Sequence, residues 1–157
     1  QVAAVLTATW KTAYRGIIDG AFLDALTVDK ARLARTRGQI ESGGVFVALD
    51  SERIVGTALF GEASKGTYAG CGELYALYVL AEYHGAGLGR GLVDACCAEL
   101  AARGFRQVVI GCLRDNPSRG FYEHLGCKLA EETVCRIGGR DYPERIYMIA
   151  LKNGERA

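Results

Sequence analysis

The sequence predicts an α/β fold built on one mixed sheet, and three observations support this prediction. Helical and strand patterns follow one another in the order helix, helix, hairpin, strand, helix, strand, helix, strand, strand. The two strand–helix–strand units need crossover connections, which make part of the strand pairing parallel. The strand Glu73–Val79 is mostly apolar on both faces, as is typical of a central strand covered on both sides.

Composition indicates a globular protein with no strongly charged partner. The chain has 157 residues, so 1–157 is expected to form a single domain with a sizeable core. The formal net charge of +1 favours neither nucleic acid nor a membrane surface as a partner. Without a long apolar run or a basic-then-apolar opening segment, we expect a soluble cytoplasmic protein that does not cross a membrane.

The first half of the chain predicts two helices and a hairpin. Residues 1–14 carry apolar side chains on overlapping helical faces. Thr27 is placed to cap a second helix over residues 28–41, which a pair of glycines ends. Two apolar segments, 45–49 and 54–60, flank a short polar turn and predict a β-hairpin.

The second half alternates strands and helices. A loop rich in glycine, residues 61–72, precedes the central strand, and a helix with one apolar face follows over residues 89–103. After the short apolar strand 108–113, Asn116 is placed as a helix cap with proline at the next position. Two further strands, 128–137 and 145–151, end the predicted fold.

The turn after the central strand is rich in glycine and leads directly into a helix. Gly85, Gly87 and Gly89 let the backbone approach a ligand closely, and a helix N-terminus offers unpaired N–H groups to an anion. The turn is therefore expected to hold a phosphate or diphosphate with main-chain atoms. Its glycine spacing does not fit the dinucleotide fingerprint, and it lacks the Gly-Lys-Ser/Thr of the nucleoside triphosphate loop.

Two motifs resemble signatures of the GNAT N-acetyltransferase superfamily. The segment His84-Gly85-Ala86-Gly87-Leu88-Gly89 matches the family's acyl-coenzyme A loop, (Gln/Arg)-x-x-Gly-x-(Gly/Ala), at every position but the first. The segment 116–126 is similar to the second signature, N-x-x-(A/S)-x-x-(F/Y)-Y-x-x-x-G, with Arg119 where a small residue is common. The element order resembles the GNAT fold over nearly the whole chain.

The resemblance implies a mostly antiparallel central sheet flanked by helices, with a splayed parallel strand pair at the coenzyme site. The family's usual first strand, which precedes the first helix, is not expected among the residues present. Acetyl-CoA is the implied acyl donor. Its implied contacts are Leu77, Val79, His84, Gly85, Ala86, Gly87, Gly89, Arg90, Asn116 and Tyr122.

Tyr122 and Glu73 are the candidate catalytic residues. A phenol, with a pKa of about 10, is protonated at neutral pH and able to protonate a departing thiolate. The alternative for Tyr122 is an amphipathic core tyrosine. The resemblance implies that Glu73, at the start of the central strand, is the general base, and neighbouring apolar side chains are expected to raise its pKa. The alternatives for Glu73 are a solvent-facing carboxylate and a group that recognises a cation, and His84 is the reserve base.

The cysteines are expected to be structural. The six cysteines form no C-x-x-C pair, and only two histidines accompany them, so no metal site is predicted. Cys112 comes nearest to the candidate site in the sequence, but direct transfer needs no cysteine nucleophile.

These observations predict an acetyl-CoA-dependent N-acetyltransferase that acts on a primary amine. The acceptor is expected to be a small molecule, with an antibiotic, a polyamine and a peptide amine left open. The alternative is a non-catalytic acyl-CoA-binding module of the same fold, which binds the coenzyme without turnover. A homodimer is expected only by analogy with the family.

Overall fold

A computed structural model describes residues 1–64 and 66–151. The described chain divides into two compact units. The first unit contains Gln1–Leu59 and Ala76–Val93, and the second contains Phe60–Tyr75 and residues 94–151. The central strand therefore begins in the second unit and ends in the first.

The described residues contain five α-helices and six β-strands. Short 3-10 turns occur at Gly66–Tyr68 and Ala81–Tyr83. The elements in chain order are α1 (Val2–Ala13), α2 (Gly20–Ala25), α3 (Lys30–Glu41), β1 (Val45–Asp50), β2 (Arg53–Glu62), β3 (Gly72–Val79), α4 (Leu88–Ala102), β4 (Gln107–Leu113), α5 (Arg119–His124), β5 (Lys128–Ile137) and β6 (Arg140–Ala150).

The strands form one six-stranded mixed sheet in the order β1-β2-β3-β4-β6-β5. Antiparallel pairing joins β1 to β2, β4 to β6 and β5 to β6, whereas β3 and β4 are parallel. The parallel register runs from Gly72 opposite Val108 to Leu74 opposite Ile110. Both strands continue beyond these three residue pairs. The predicted mixed sheet with a parallel pair is confirmed.

In the first unit, acidic side chains cap the second and third helices. Asp19 accepts a hydrogen bond from the Phe22 amide (2.9 Å), and this cap begins the six-residue helix α2, which the sequence pattern did not predict. Asp29 accepts from the Arg32 amide (2.7 Å) and caps α3. The prediction that Thr27 caps this helix was therefore wrong, because the carboxylate of Asp29 satisfies the exposed amide instead.

A two-residue turn joins β1 to β2 in the first unit. Asp50 pairs with Arg53 to close the hairpin, and Ser51 at its tip has a φ of 54°. The predicted hairpin is confirmed, although β2 extends to Glu62, beyond the predicted end.

The second unit buries its core between α4 and the strands. Leu100 on α4 is fully buried, and a Cβ added to Gly72 would lie 2.9 Å from Leu100 Cδ1. Glycine at the start of β3 therefore allows the helix to approach the strand closely. At the far edge, β5 has the predicted bounds, while β6 begins at Arg140, before the predicted start.

No helix within the described ranges has the length and apolar character needed to span a membrane.

Candidate active site

In the loop between β3 and α4, which lies in the first unit, the backbone φ angle changes sign from one residue to the next. Gly85 has a φ of 81° and Gly87 a φ of 79°, and Ala86 between them is not in the positive-φ region. Successive residues that alternate in this way turn their N–H groups toward one side and form a concavity that binds anions. Residues with side chains rarely adopt positive φ, which explains why glycine occupies both positions.

The amides that follow the glycines precede the first hydrogen bond of α4. That bond runs from the Gly91 amide to the Gly87 carbonyl oxygen (3.0 Å), so the amides of Leu88, Gly89 and Arg90 come before it. The 15-residue helix adds a partial positive charge of about half a unit at this end. Together, the loop and the helix N-terminus can hold a diphosphate with main-chain donors.

The space beside the two positive-φ glycines is open. Among the described residues, no heavy atom lies within 4 Å of a Cβ built on Gly85 or Gly87, apart from their chain neighbours. Backbone conformation is therefore the reason for glycine at these positions, since nothing in the described chain crowds them.

His84 contacts its own chain. Its Nε2 lies 2.9 Å from the Val79 carbonyl oxygen, and because a carbonyl only accepts, the ring nitrogen is the donor. The ring thus closes the segment that leads from β3 into the loop. A coenzyme contact from the His84 side chain stays a prediction. Leu77 and Val79, the other predicted contacts in the first unit, are half-buried on β3.

The second signature lies in the second unit, where Asn116 shapes the turn before α5. Asn116 is buried, and its Oδ1 accepts a hydrogen bond from the Ser118 amide (2.9 Å). The helix begins at Arg119, with Ser118 at the N-cap position. Asn116 therefore initiates the turn ahead of the helix. The prediction that it is the helix cap was wrong, because its side chain satisfies an amide that lies before the first helical residue.

Tyr122 lies on α5 and is packed among aromatic rings. It is 8% exposed, and its ring centroid lies 5.3 Å from that of Phe121 and 6.2 Å from that of Tyr147. Tyr147 in turn donates its hydroxyl proton to Glu123 Oε1 (2.9 Å). Burial, followed by this hydrogen bond, raises the pKa of Tyr147. The neighbouring rings restrict the orientation of the Tyr122 side chain.

Glu73 lies at the start of β3, in the second unit, and is bonded to the preceding loop. Its Oε2 accepts hydrogen bonds from the Ser64 amide (2.7 Å) and from the Ser64 hydroxyl (2.9 Å). The pattern of the sequence did not indicate these donors. Nearby, burial and the Glu73 charge both raise the pKa of Tyr75, with burial the larger cause. A half-buried carboxylate held in this way can accept a proton or recognise a cation.

The predicted site residues thus fall into two sets. The first unit contains Leu77, Val79 and the loop residues 84–90, whereas the second contains Glu73, Asn116 and Tyr122.

Burial raises the pKa of several cysteine thiols. Burial is the largest cause that raises the pKa of Cys96 to about 12, and that of Cys97 and Cys112 to about 11. The thiolate is the nucleophile in cysteine chemistry, so these groups are inert at neutral pH. Within residues 1–64 and 66–151, no three side chains of the metal-binding types are grouped.

Comparison with known proteins gives matches over most of the chain. The family model described as "Acetyltransferase (GNAT) family" matches residues 11–127. The uncharacterized N-acetyltransferase YuaI of Bacillus subtilis (strain 168) is 30% identical over 140 residues, covering 88% of this chain and 80% of that protein. A mycothiol acetyltransferase of Geodermatophilus obscurus is 33% identical over 104 residues, covering 64% of this chain but 33% of that protein.

Similarity to solved structures extends over the whole fold. The yncA protein of Salmonella typhimurium, solved with acetyl-CoA, has a TM-score of 0.71 at 24% identity, covering 99% of this chain and 90% of that one. This likeness shows the shared fold. The family match, the relative of similar length and the two signatures together show that the chain belongs to the acetyltransferase (GNAT) family, as the sequence motifs predicted.

Proposed function

We propose that this acetyltransferase moves the acetyl group of acetyl-CoA directly to the primary amine of a small molecule. The observation that carries the proposal is the loop between β3 and α4. Its two positive-φ glycines and the amides before the first helical hydrogen bond suit the diphosphate of the coenzyme. The presence of acetyl-CoA in the similar yncA protein supports this choice of donor.

The loop residues Gly85, Ala86, Gly87, Gly89 and Arg90 would bind the diphosphate through their amides. The amides of Leu77 and Val79 on β3 would meet the thioester carbonyl and the pantetheine arm. Asn116 would contact the coenzyme near its thioester end. Fixed main-chain donors stabilise the negative charge that develops on a carbonyl oxygen. In other enzymes, removal of one such donor lowers the rate by about 10²–10³-fold.

Two side chains would move the protons of the reaction. Glu73 accepts, directly or through water, the proton that the neutral amine nitrogen loses as it bonds the acetyl carbon. As the carbon–sulfur bond breaks, Tyr122 donates its hydroxyl proton to the departing sulfur. The products are the N-acetylated amine and the free thiol of the coenzyme.

Direct transfer is supported by the state of Cys112. This thiol is 5% exposed, and its pKa of about 11 leaves about one part in 10⁴ as thiolate at pH 7. An acyl-enzyme intermediate on Cys112 would have to form from this small thiolate fraction, at a buried sulfur atom. We therefore assign no covalent step to the protein.

We propose that the acceptor is recognised by the first helices, the segment 61–72 and the β5–β6 hairpin. The six free cysteines suit a reducing cytoplasm, which we propose as the location. A homodimer is a further proposal by analogy.

The glycine loop provides the first test. Gly87→Ala places a side chain at a φ of 79°. A strained or rearranged loop misplaces its amides, so we expect the Kd for CoA, measured by calorimetry, to rise at least about tenfold. The control is Gly91→Ala, which lies in α4 without positive φ or a described atom within 4 Å. Unchanged CoA affinity in Gly87→Ala would contradict the loop assignment.

Tyr122→Phe tests the acid. A panel of polyamines, aminoglycosides and peptides with acetyl-CoA first identifies an acceptor by thiol release. With that acceptor, we expect Tyr122→Phe to lower kcat by about 10²-fold at unchanged CoA affinity, because the thiolate leaves without a proton donor. Tyr147→Phe is the matched control. This substitution removes the hydroxyl that donates to Glu123. We expect it to lower the Tm and to leave kcat within about twofold of the wild-type value. Full turnover in Tyr122→Phe removes this residue from the mechanism.

Glu73→Gln tests the base. The amide keeps an oxygen for the Ser64 donors but accepts no proton from the amine. We expect kcat to fall by about 10²-fold and the rise of kcat/KM on the acid side of the pH profile to disappear. Glu62→Gln, an exposed carboxylate at the end of β2, serves as the control and keeps the wild-type profile. An unaltered pH profile of kcat/KM in Glu73→Gln would contradict the assignment of Glu73 as the base. Water or another group would then accept the proton.

A further inference from the structure

A short segment, residues 80–84, connects β3 to the coenzyme loop, and we refer to it as the strap. Its first residue is bonded to β2, because the Leu80 amide donates to the Val55 carbonyl oxygen (2.9 Å). Within the strap, the Tyr83 amide donates to Leu80 O (2.9 Å) and the His84 amide to Ala81 O (3.1 Å). The strap is thus a single 3-10 turn that starts from a fixed point.

Two side-chain contacts join the strap to the turn of the β1–β2 hairpin. The Tyr83 hydroxyl donates to Asp50 Oδ2 (2.6 Å), and Arg53 donates to Glu82 Oε1 (3.1 Å). Asp50 and Arg53 are the pair that closes the hairpin. Consecutive strap residues therefore contact the two ends of one tight turn. All these residues belong to the first unit.

The two contacts differ in length and in chemical type. The side chains of Arg53 and Glu82 are 61% and 56% exposed, and ion pairs of such exposure contribute little because water screens them. Tyr83 is half-buried and its partner Asp50 is exposed, and the separation of 2.6 Å makes this the shorter of the two contacts. Hydrogen bonds to a carboxylate oxygen are stronger than those between neutral groups. This bond is the largest cause that raises the pKa of Tyr83, so the hydroxyl keeps its proton at neutral pH.

The strap matters because the loop after it has little stiffness of its own. Gly85 and Gly87 access a wide range of backbone conformations. The loop amides are therefore held in place by what fixes its two ends. Helix α4 fixes one end. The strap fixes the other, one residue after Tyr83, where the His84 ring closes onto the Val79 carbonyl.

We propose that Tyr83 and Asp50 are positioning residues for the coenzyme loop. Their hydrogen bond holds the strap against the hairpin turn and so preorganises the amides that bind the diphosphate, an inference that rests on the proposed function. A preorganised site binds more tightly because less conformational entropy is lost on binding. Asp50 is far from the glycine motif in sequence, so the affinity for the coenzyme depends on a turn outside both signatures.

The test measures CoA binding by calorimetry in a double-mutant cycle. We expect Tyr83→Phe and Asp50→Ala each to raise the Kd for CoA by about three- to tenfold, and the double variant to match either single one. Asp50→Asn keeps an acceptor oxygen for the Tyr83 hydroxyl, so it should retain most of the affinity. Pantetheine, which lacks the diphosphate, should bind the wild type and the variants with equal affinity. A general loss of structure would instead weaken the binding of both CoA and pantetheine.

Two controls remove comparable surface contacts. Arg53→Ala, in the same turn, should change the Kd by less than about twofold because its pair is exposed. Asp141→Ala breaks the Arg136–Asp141 pair (3.0 Å) at the turn of the β5–β6 hairpin, and should leave the Kd unchanged.

Additive effects, or wild-type CoA affinity in Tyr83→Phe, would overturn the inference and leave the proposed function intact. Absence of CoA binding in the wild type would instead overturn the proposed function. If Tyr83→Phe does not fold, the CoA affinities of Asp50→Ala and Asp50→Asn are compared instead. Equal affinities in those two variants would contradict the inference.

Discussion

Main-chain amides at one turn are the feature on which the rest of this protein depends. Between the end of β3 and the first hydrogen bond of α4, the chain alternates positive and negative φ and turns its N–H groups to one side. This arrangement needs glycine at positions 85 and 87, a central strand before it and a long helix after it. We propose that the sheet and α4 present a diphosphate site made of backbone atoms.

A site made of backbone amides carries little information about the acceptor. Amides recognise the common part of every acyl-CoA. The groups that we propose to move the protons are side chains of the second unit, where Glu73 is bonded to Ser64 and Tyr122 is packed among aromatic rings. Acceptor choice would then change with surrounding loops, while the coenzyme loop stays the same.

Local patterns predicted those parts of the protein that local physics determines. The sheet class, the hairpin, the bounds of β5 and the glycine loop follow from periodicity and backbone preference. The start of α3 was misplaced because Thr27 and Asp29 are both good caps, and spacing alone does not choose between them. The helix α2 was missed because six residues beginning at a glycine give a weak helical pattern, although Asp19 was a visible capping signal.

Contacts between distant parts of the chain were outside the reach of such reasoning. Asp50 and Tyr83 are separated by 33 positions, and no periodicity relates a hairpin turn to a strap before a loop. The donors that Ser64 offers to Glu73 come from a loop whose path the sequence does not reveal. Asn116 was predicted as the helix cap, but its side chain accepts from the Ser118 amide and α5 begins at Arg119, with Ser118 at the N-cap position.

The most direct measurement is a crystal structure of the protein soaked with CoA. The account predicts diphosphate oxygens within hydrogen-bond distance of the amides between Gly85 and Arg90, at about 2.7–3.2 Å. A diphosphate bound anywhere else on the protein, with these amides facing water, would contradict the central claim.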